Sequence, residues 1–279
     1  MKVRYSAKSY KEKQRVFQAL IQKLGAQKSV NEIKYADIET FLNGIKEQVS
    51  GHRANKARVH IVAAYNWGIK AHMLPKPNPW EVERYKETKT PRYVPSDEDF
   101  WKVFDVADQE QKLILLCALH LAARKSEILS LRWEDVDFKR GLIRLWTNKR
   151  DGGHEYDWLP MTKNLKLYLH EQRYKTLYQR YVFINNKTGT RYTWRSGMMK
   201  WLCKKAGVKH FGLHGIRHLS ACLLDEAGEP LAYIQQMLRH RSATTTSVYL
   251  RSLRGIRSTG AFQKGSPHCC NSEGHKHGA

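Results

Sequence analysis

Ala122-Ala123-Arg124-Lys125-Ser126-Glu127-Ile128-Leu129-Ser130-Leu131-Arg132-Trp133-Glu134-Asp135 sits at a change of periodicity. Upstream, Lys112 to Ala123 is an apolar run long enough for a core helix. Downstream, Val136–Phe138, Leu142–Trp146 and Tyr156–Leu159 read as three short strands of an antiparallel sheet. Their turns fall at Lys139-Arg140-Gly141 and Arg150-Asp151-Gly152-Gly153. Beyond the sheet the pattern is helical to about residue 253, interrupted near 181–190. The fold class that follows is mainly α with a small antiparallel β-sheet.

The chain before this region reads differently. Ser9 to Leu24 carries Val16, Leu20 and Leu24 at helical spacing, with Gly25 as a stop. Asp37 is placed to cap a helix whose apolar face is Ile38, Phe41, Leu42 and Ile45. A longer helix is expected from Arg53 to Met73, closed by Pro75, Pro77 and Pro79. Residues 1–85 therefore form a helical module and 86–95 a basic linker. Ser96 and Asp99 open a second module over 96–262, and 263–279 reads as a disordered tail.

Charge narrows the partner. The 279 residues hold 49 Lys and Arg against 26 Asp and Glu, a net charge of +23, which calls for a polyanion. No apolar run approaches the length of a membrane span, no basic amphipathic helix dominates, and the first residues lack a secretion signal. The expected setting is the cytoplasm, with no membrane partner. Cys117, Cys203 and Cys222 stand singly in apolar helical contexts and read as reduced, buried thiols. Cys269 and Cys270, near His268, His275 and His277, lack the spacing of a zinc site.

Four separated segments carry chemistry. They are Arg124 with Leu131-Arg132-Trp133-Glu134-Asp135; Lys149, 25 positions after Arg124; His214-Gly215-Ile216-Arg217-His218; and Arg239-His240 followed nine residues later by Tyr249. Two planar guanidiniums suit the non-bridging oxygens of a phosphate that becomes pentacoordinate. A tyrosine oxygen both attacks phosphorus and leaves again, so bond energy is kept in a protein–DNA link. Lysine at a hairpin turn suits proton donation to a departing oxygen. No acidic cluster for Mg²⁺ is evident, and no cofactor or metal is expected.

In order and spacing these segments resemble the tyrosine recombinase (phage integrase) family over roughly residues 95–255. The resemblance implies a helical core-binding domain and a mixed catalytic domain clamped around double-stranded DNA. It implies Tyr249 as nucleophile, Arg124 and Arg217 on the phosphate, and Lys149 as proton donor. His214 would accept or position the tyrosine proton, and His240 would hydrogen-bond the phosphate. It also implies a homo-tetramer on paired sites, a dimer per site, docked through about Arg251 to Phe262. Accessory DNA-bending proteins are a further class of partner. The family usually has glycine before the second histidine, where this chain has Arg239.

Arg53, Lys56, Arg58, Arg150, Arg195 and Arg239 are the candidates for DNA-backbone contact, with a solvated helix face as the alternative for the helical ones. A helix carrying Lys200, Lys204 and Lys205 is expected to bury Trp194, Met198 and Trp201. Integration or excision of a mobile element is the function expected. Xer-like dimer resolution, inversion, or a non-catalytic DNA-binding protein are the alternatives. An RNA-binding module would call for an aromatic stacking platform on a sheet, which the strands do not announce.

Overall fold

The computed structural model describes residues 7–87, 93–150, 153–192, 195, 197–240, 242–244, 246, 247 and 250, with backbone alone at 148–150 and 154. The chain forms two compact units, Met1–Thr90 and Pro91–Ala279. No described helix is long and apolar enough to cross a membrane.

The first unit holds α1 (Ala7–Leu24), α2 (Tyr35–Gln48) and α3 (Gly51–Lys70). Leu20, Ile38, Phe41, Leu42, Ile61 and Tyr65 meet between them, joined by Trp80 and Val82 from the segment that follows. Asp37 lies inside α2 rather than before it: from the third position its carboxylate accepts the Lys34 backbone N–H at 2.9 Å. The third helix stops at Lys70, short of the expected Met73, because His72 turns left-handed (φ 56°). Its N-terminus is capped by the Ser50 hydroxyl, which accepts the Arg53 N–H.

The buried Asn55 holds the returning chain against α3. Its amide donates to the Tyr85 carbonyl (2.9 Å) and to Glu87 (2.7 Å), and its oxygen accepts the Tyr85 N–H (2.9 Å). Glu87, read from sequence as linker, is therefore packed. Tyr93 and Val94 likewise belong to the core of the second unit.

In the second unit, α4 (Asp97–Asp105) starts at Ser96, whose hydroxyl accepts the Asp99 N–H at 3.0 Å. Next comes α5 (Gln109–His120), opened by a reciprocal Asp108–Gln111 cap and buried along Leu113–Leu119. Each of its large apolar side chains contributes about 1.5–3 kcal/mol by leaving water. It ends before the expected Ala123. After α6 (Lys125–Leu129) come β1 (Val136–Asp137), β2 (Leu142–Arg150) and β3 (Gly153–Pro160), antiparallel in the order β1-β2-β3. Ile143, Leu145 and Leu159 face the core, and the register shifts between Thr147 and Arg150.

The opposite face of this sheet carries what the sequence reading missed. The Arg144 guanidinium lies 5.0, 5.4 and 5.5 Å from the rings of Trp146, Tyr156 and Trp158. Buried Asp135 accepts from Arg144 Nε (2.7 Å) and Trp146 Nε1 (2.9 Å). Cross-strand register, not strand composition, gathers these rings, and they meet edge-on around a cation.

The remaining elements are α7 (Lys163–Lys175), the two-residue strands β4 (Ile184–Asn185) and β5 (Thr190–Arg191), α8 (Met198–Lys205), α9 (Leu213–Glu226) and α10 (Leu231–Leu238). On α8 the buried face is Met198, Met199, Leu202 and Cys203, whereas Trp201 is 54% exposed; Trp194 lies outside the described residues. Cys117, Cys203 and Cys222 are free and buried.

Candidate active site

The chain leaves α5 through Leu121, Ala122 and Ala123, all buried, and turns sharply because Ala122 adopts φ 43°. A left-handed alanine costs about 1–2 kcal/mol. Hydrogen bonds hold it there: the Ala122 carbonyl accepts from Arg217 and, at 3.2 Å, from Arg239 Nη2. Arg124 follows at the N-terminus of α6. Its backbone N–H donates to Glu127 Oε2 and its Nη1 to Oε1, both at 2.7 Å. One carboxylate therefore fixes both the main chain and the side chain of Arg124.

Arg217 arrives from α9. It is 2% exposed and also donates to the Leu238 carbonyl. His214, three residues earlier, is exposed at the start of the same helix, and its ring meets buried His218 edge-on at 4.5 Å. Gly215 lets the chain approach closely: a Cβ there would lie 3.4 Å from Phe211 and Pro95.

The end of α10 supplies the third side. Its peptide N–H groups fold back, Arg239 onto Gln236 (2.9 Å) and His240 onto Gln235 (3.1 Å). His240 Nδ1 lies 3.1 Å from the Thr246 hydroxyl. Burial, then Arg217, Arg124 and Arg239, push the His240 imidazole down to about 4, so the ring is neutral at pH 7. In the tautomer in which Thr246 donates to Nδ1, the proton sits on Nε2, which is then a donor.

Glu127 is 5% exposed. Burial alone would raise its carboxyl, but Arg239, the Arg124 N–H and the Arg124 guanidinium together hold it below the ordinary value. The cluster thus presents cations and a neutral imidazole donor, suited to an anion that gains charge during reaction.

Arg239 departs from expectation. Its guanidinium is 0% exposed, and both Nη atoms are engaged by Glu127 and the carbonyls of Leu121, Ala122 and Met237 rather than presented at the surface. Arg58 is half-buried against the Val82 carbonyl, and Arg195 pairs with Glu110 at 2.6 Å. Arg53 and Lys56 stay exposed, at 3.7 and 3.2 Å from Glu12. They line a groove of about 810 Å³ together with Lys8, Lys11 and Arg15 of α1, which sequence reasoning passed over although their spacing shares one helix face. Lys149 and Arg150 lie on the backbone of β2, with their side chains outside the described atoms. Tyr249, the segment 251–262 and the Cys/His tail lie outside the described residues. Thr246 was also missed: nothing in sequence ties it to His240.

A model described as the phage integrase family matches residues 98–254. The chain is 25% identical over 265 residues to the tyrosine recombinase XerC of Oceanobacillus iheyensis, covering 88% of this chain and 85% of that protein. Its fold is similar to the Tn1549 transposon integrase in complex with a circular intermediate DNA (TM-score 0.72, 18% identity, 92% of this chain and 95% of that one). It is equally similar to a lambda integrase tetramer bound to a Holliday junction (TM-score 0.72, 16% identity, 88% and 72%). At these identities the structural likeness is one of fold.

Proposed function

This chain belongs to the phage integrase family, the tyrosine recombinases, and from that premise we infer how its residues divide the work of breaking and rejoining DNA. It is a site-specific DNA recombinase, an enzyme of strand exchange. Tyr249 is the nucleophile: its oxygen attacks the phosphodiester phosphorus, the bond to O5′ breaks, and a 3′-phosphotyrosine and a 5′-hydroxyl result. Lys149 gives its proton to the departing O5′, while His214 takes or positions the phenol proton. Arg124 and Arg217 bind the non-bridging oxygens and His240 donates from Nε2. A 5′-hydroxyl from the partner strand then reverses the attack, restoring the tyrosine without a cofactor.

The observation that carries this reading is one loop. Residues 121–124 and Glu127 collect guanidiniums from α6, α9 and the end of α10, with neutral His240 beside them. Double-stranded DNA is the substrate. A homo-tetramer on two sites, a dimer on each, is the working assembly, as the lambda integrase tetramer on a Holliday junction illustrates. Arg53 and Lys56 grip the DNA backbone from the first unit, and the enzyme works in the cytoplasm.

Integration or excision of a mobile element is the role proposed. The XerC match, over 85% of that protein, favours a second reading, dimer resolution by the same chemistry. Covalent trapping tests both: the protein is incubated with fragmented DNA of its own source, denatured, and the attached DNA sequenced. We expect a linkage that Tyr249→Phe abolishes while binding survives. Attached sites at element ends support the first role and a single chromosomal site the second; no linkage at all defeats the assignment.

A further inference from the structure

On backbone grounds the residue after α10 should be glycine. Arg239 sits at φ 52°, ψ 48°, the left-handed conformation that ends many helices and that a Cβ disfavours. Its side chain offsets the strain. The fully buried guanidinium donates from Nη1 to the carbonyls of Leu121 (2.9 Å) and Met237 (3.0 Å), and from Nη2 to Ala122 (3.2 Å) and Glu127 Oε2 (2.7 Å).

The two Nη2 acceptors are shared. The Ala122 carbonyl also receives Arg217, and Glu127 also receives Arg124 through main chain and side chain. We propose that Arg239 is a positioning residue, coupling Arg124 to Arg217 through Glu127 and the Ala122 carbonyl so that both guanidiniums meet the phosphate in fixed register. This rests on the reading of the site given above.

Charge counting agrees. Arg239 adds one positive charge to a cluster that holds Arg124, Arg217 and Glu127, with Asp157 within electrostatic range of Arg239. A phosphodiester attacked by a phenolate carries two negative charges in the transition state and one before attack. Glycine at position 239 would remove that positive charge, so the loss falls on the reaction step more than on DNA binding. Arg239 is also among the cations that hold His240 neutral.

The test compares the full-length enzyme with Arg239→Gly and Arg239→Lys in single-turnover formation of the covalent complex on a cognate site, beside DNA affinity and thermal unfolding. We expect Arg239→Gly to stay folded with a lowered unfolding transition, because the relief of left-handed strain offsets only part of the buried pair and hydrogen bonds lost. It should keep its Kd when assayed below that transition. Its cleavage should slow about 10²-fold, the scale of removing one preorganised donor. Millimolar guanidinium should restore part of the rate in Arg239→Gly and leave the unsubstituted enzyme unchanged. Arg239→Lys, which keeps the charge but lacks the fork, should stay slow. Wild-type cleavage by Arg239→Gly overturns the proposal. So does a loss of rate together with folding or affinity that guanidinium does not rescue. If the unsubstituted enzyme forms no covalent complex, the reading of the site itself fails, and the coupling role falls with it.

Discussion

Replacing Glu127 by glutamine removes one charge and changes almost no volume. The carboxylate accepts three hydrogen bonds, each 2.7 Å long: from the Arg124 N–H, Arg124 Nη1 and Arg239 Nη2. A glutamine oxygen can serve only one side, and its amide then points a donor at another donor. Two guanidiniums, one fully buried, are left without a counter-charge. Removing one partner of a buried ion pair costs about 3–5 kcal/mol. For a unit of this size each kcal/mol lowers Tm by about 2–4 °C, so the loss is about 6–20 °C.

The deficit has a pH signature. The folded carboxyl lies below its ordinary value of 4.5, so its stabilisation is fully present above that pH. It is lost as pH falls through the folded value, and glutamine and wild type converge there. Calorimetry at pH 7 and at decreasing pH measures this, with covalent-complex formation followed in parallel. A Tm at pH 7 within about 2 °C of wild type would show that the buried cluster is not what holds this loop, and would refute the reasoning.

His240 gives a second dependence. Its folded value of about 4 lies below the ordinary 6.5, so stability falls as pH drops from 6.5 toward 4 and levels off below. Urea titrations of wild type and His240→Asn should diverge across that window by about 1–2 kcal/mol, the full linkage discounted for partial exposure; parallel curves would count against it. In the first unit, a Cβ at Gly51 would lie 2.8 Å from the Lys86 carbonyl, a main-chain atom that cannot swing aside. Gly51→Ala should destabilise that unit by about 1–3 kcal/mol, read by urea unfolding, and an unchanged midpoint would sink the idea.

Local features were legible in the sequence. Periodicity located α1 to α3, Ser96 announced its cap, and spacing grouped Arg124 with Arg217, which the structure brings to one loop. Features resting on distant partners were not. Arg239 read as a candidate DNA contact because its counter-charge, Glu127, lies 112 residues away. Asn55 gave no hint of holding Tyr85, 30 residues on. The aromatic face around Arg144 depends on which residues of β2 and β3 stand opposite one another; the expected strands contained Arg144, Trp146, Tyr156 and Trp158, but not the register that pairs them. Trp201 lay within an apolar pattern, yet Met199 and Cys203 take the buried face of α8. A sequence displays what neighbours i to i+4 arrange; a buried charge is decided by its fold-mate.

The left-handed position closing α10 also constrains descent. Glycine and arginine codons differ by a single base, so either residue is one mutation from the other. The step to arginine is tolerable only once Glu127 and the loop carbonyls are there to receive it, because a guanidinium buried without an acceptor is costly. Arginine at 239 is therefore tolerated only alongside the acid, and a substitution that removes the acid strands it. Changes at positions 127 and 239 are thereby coupled, each setting what the other costs.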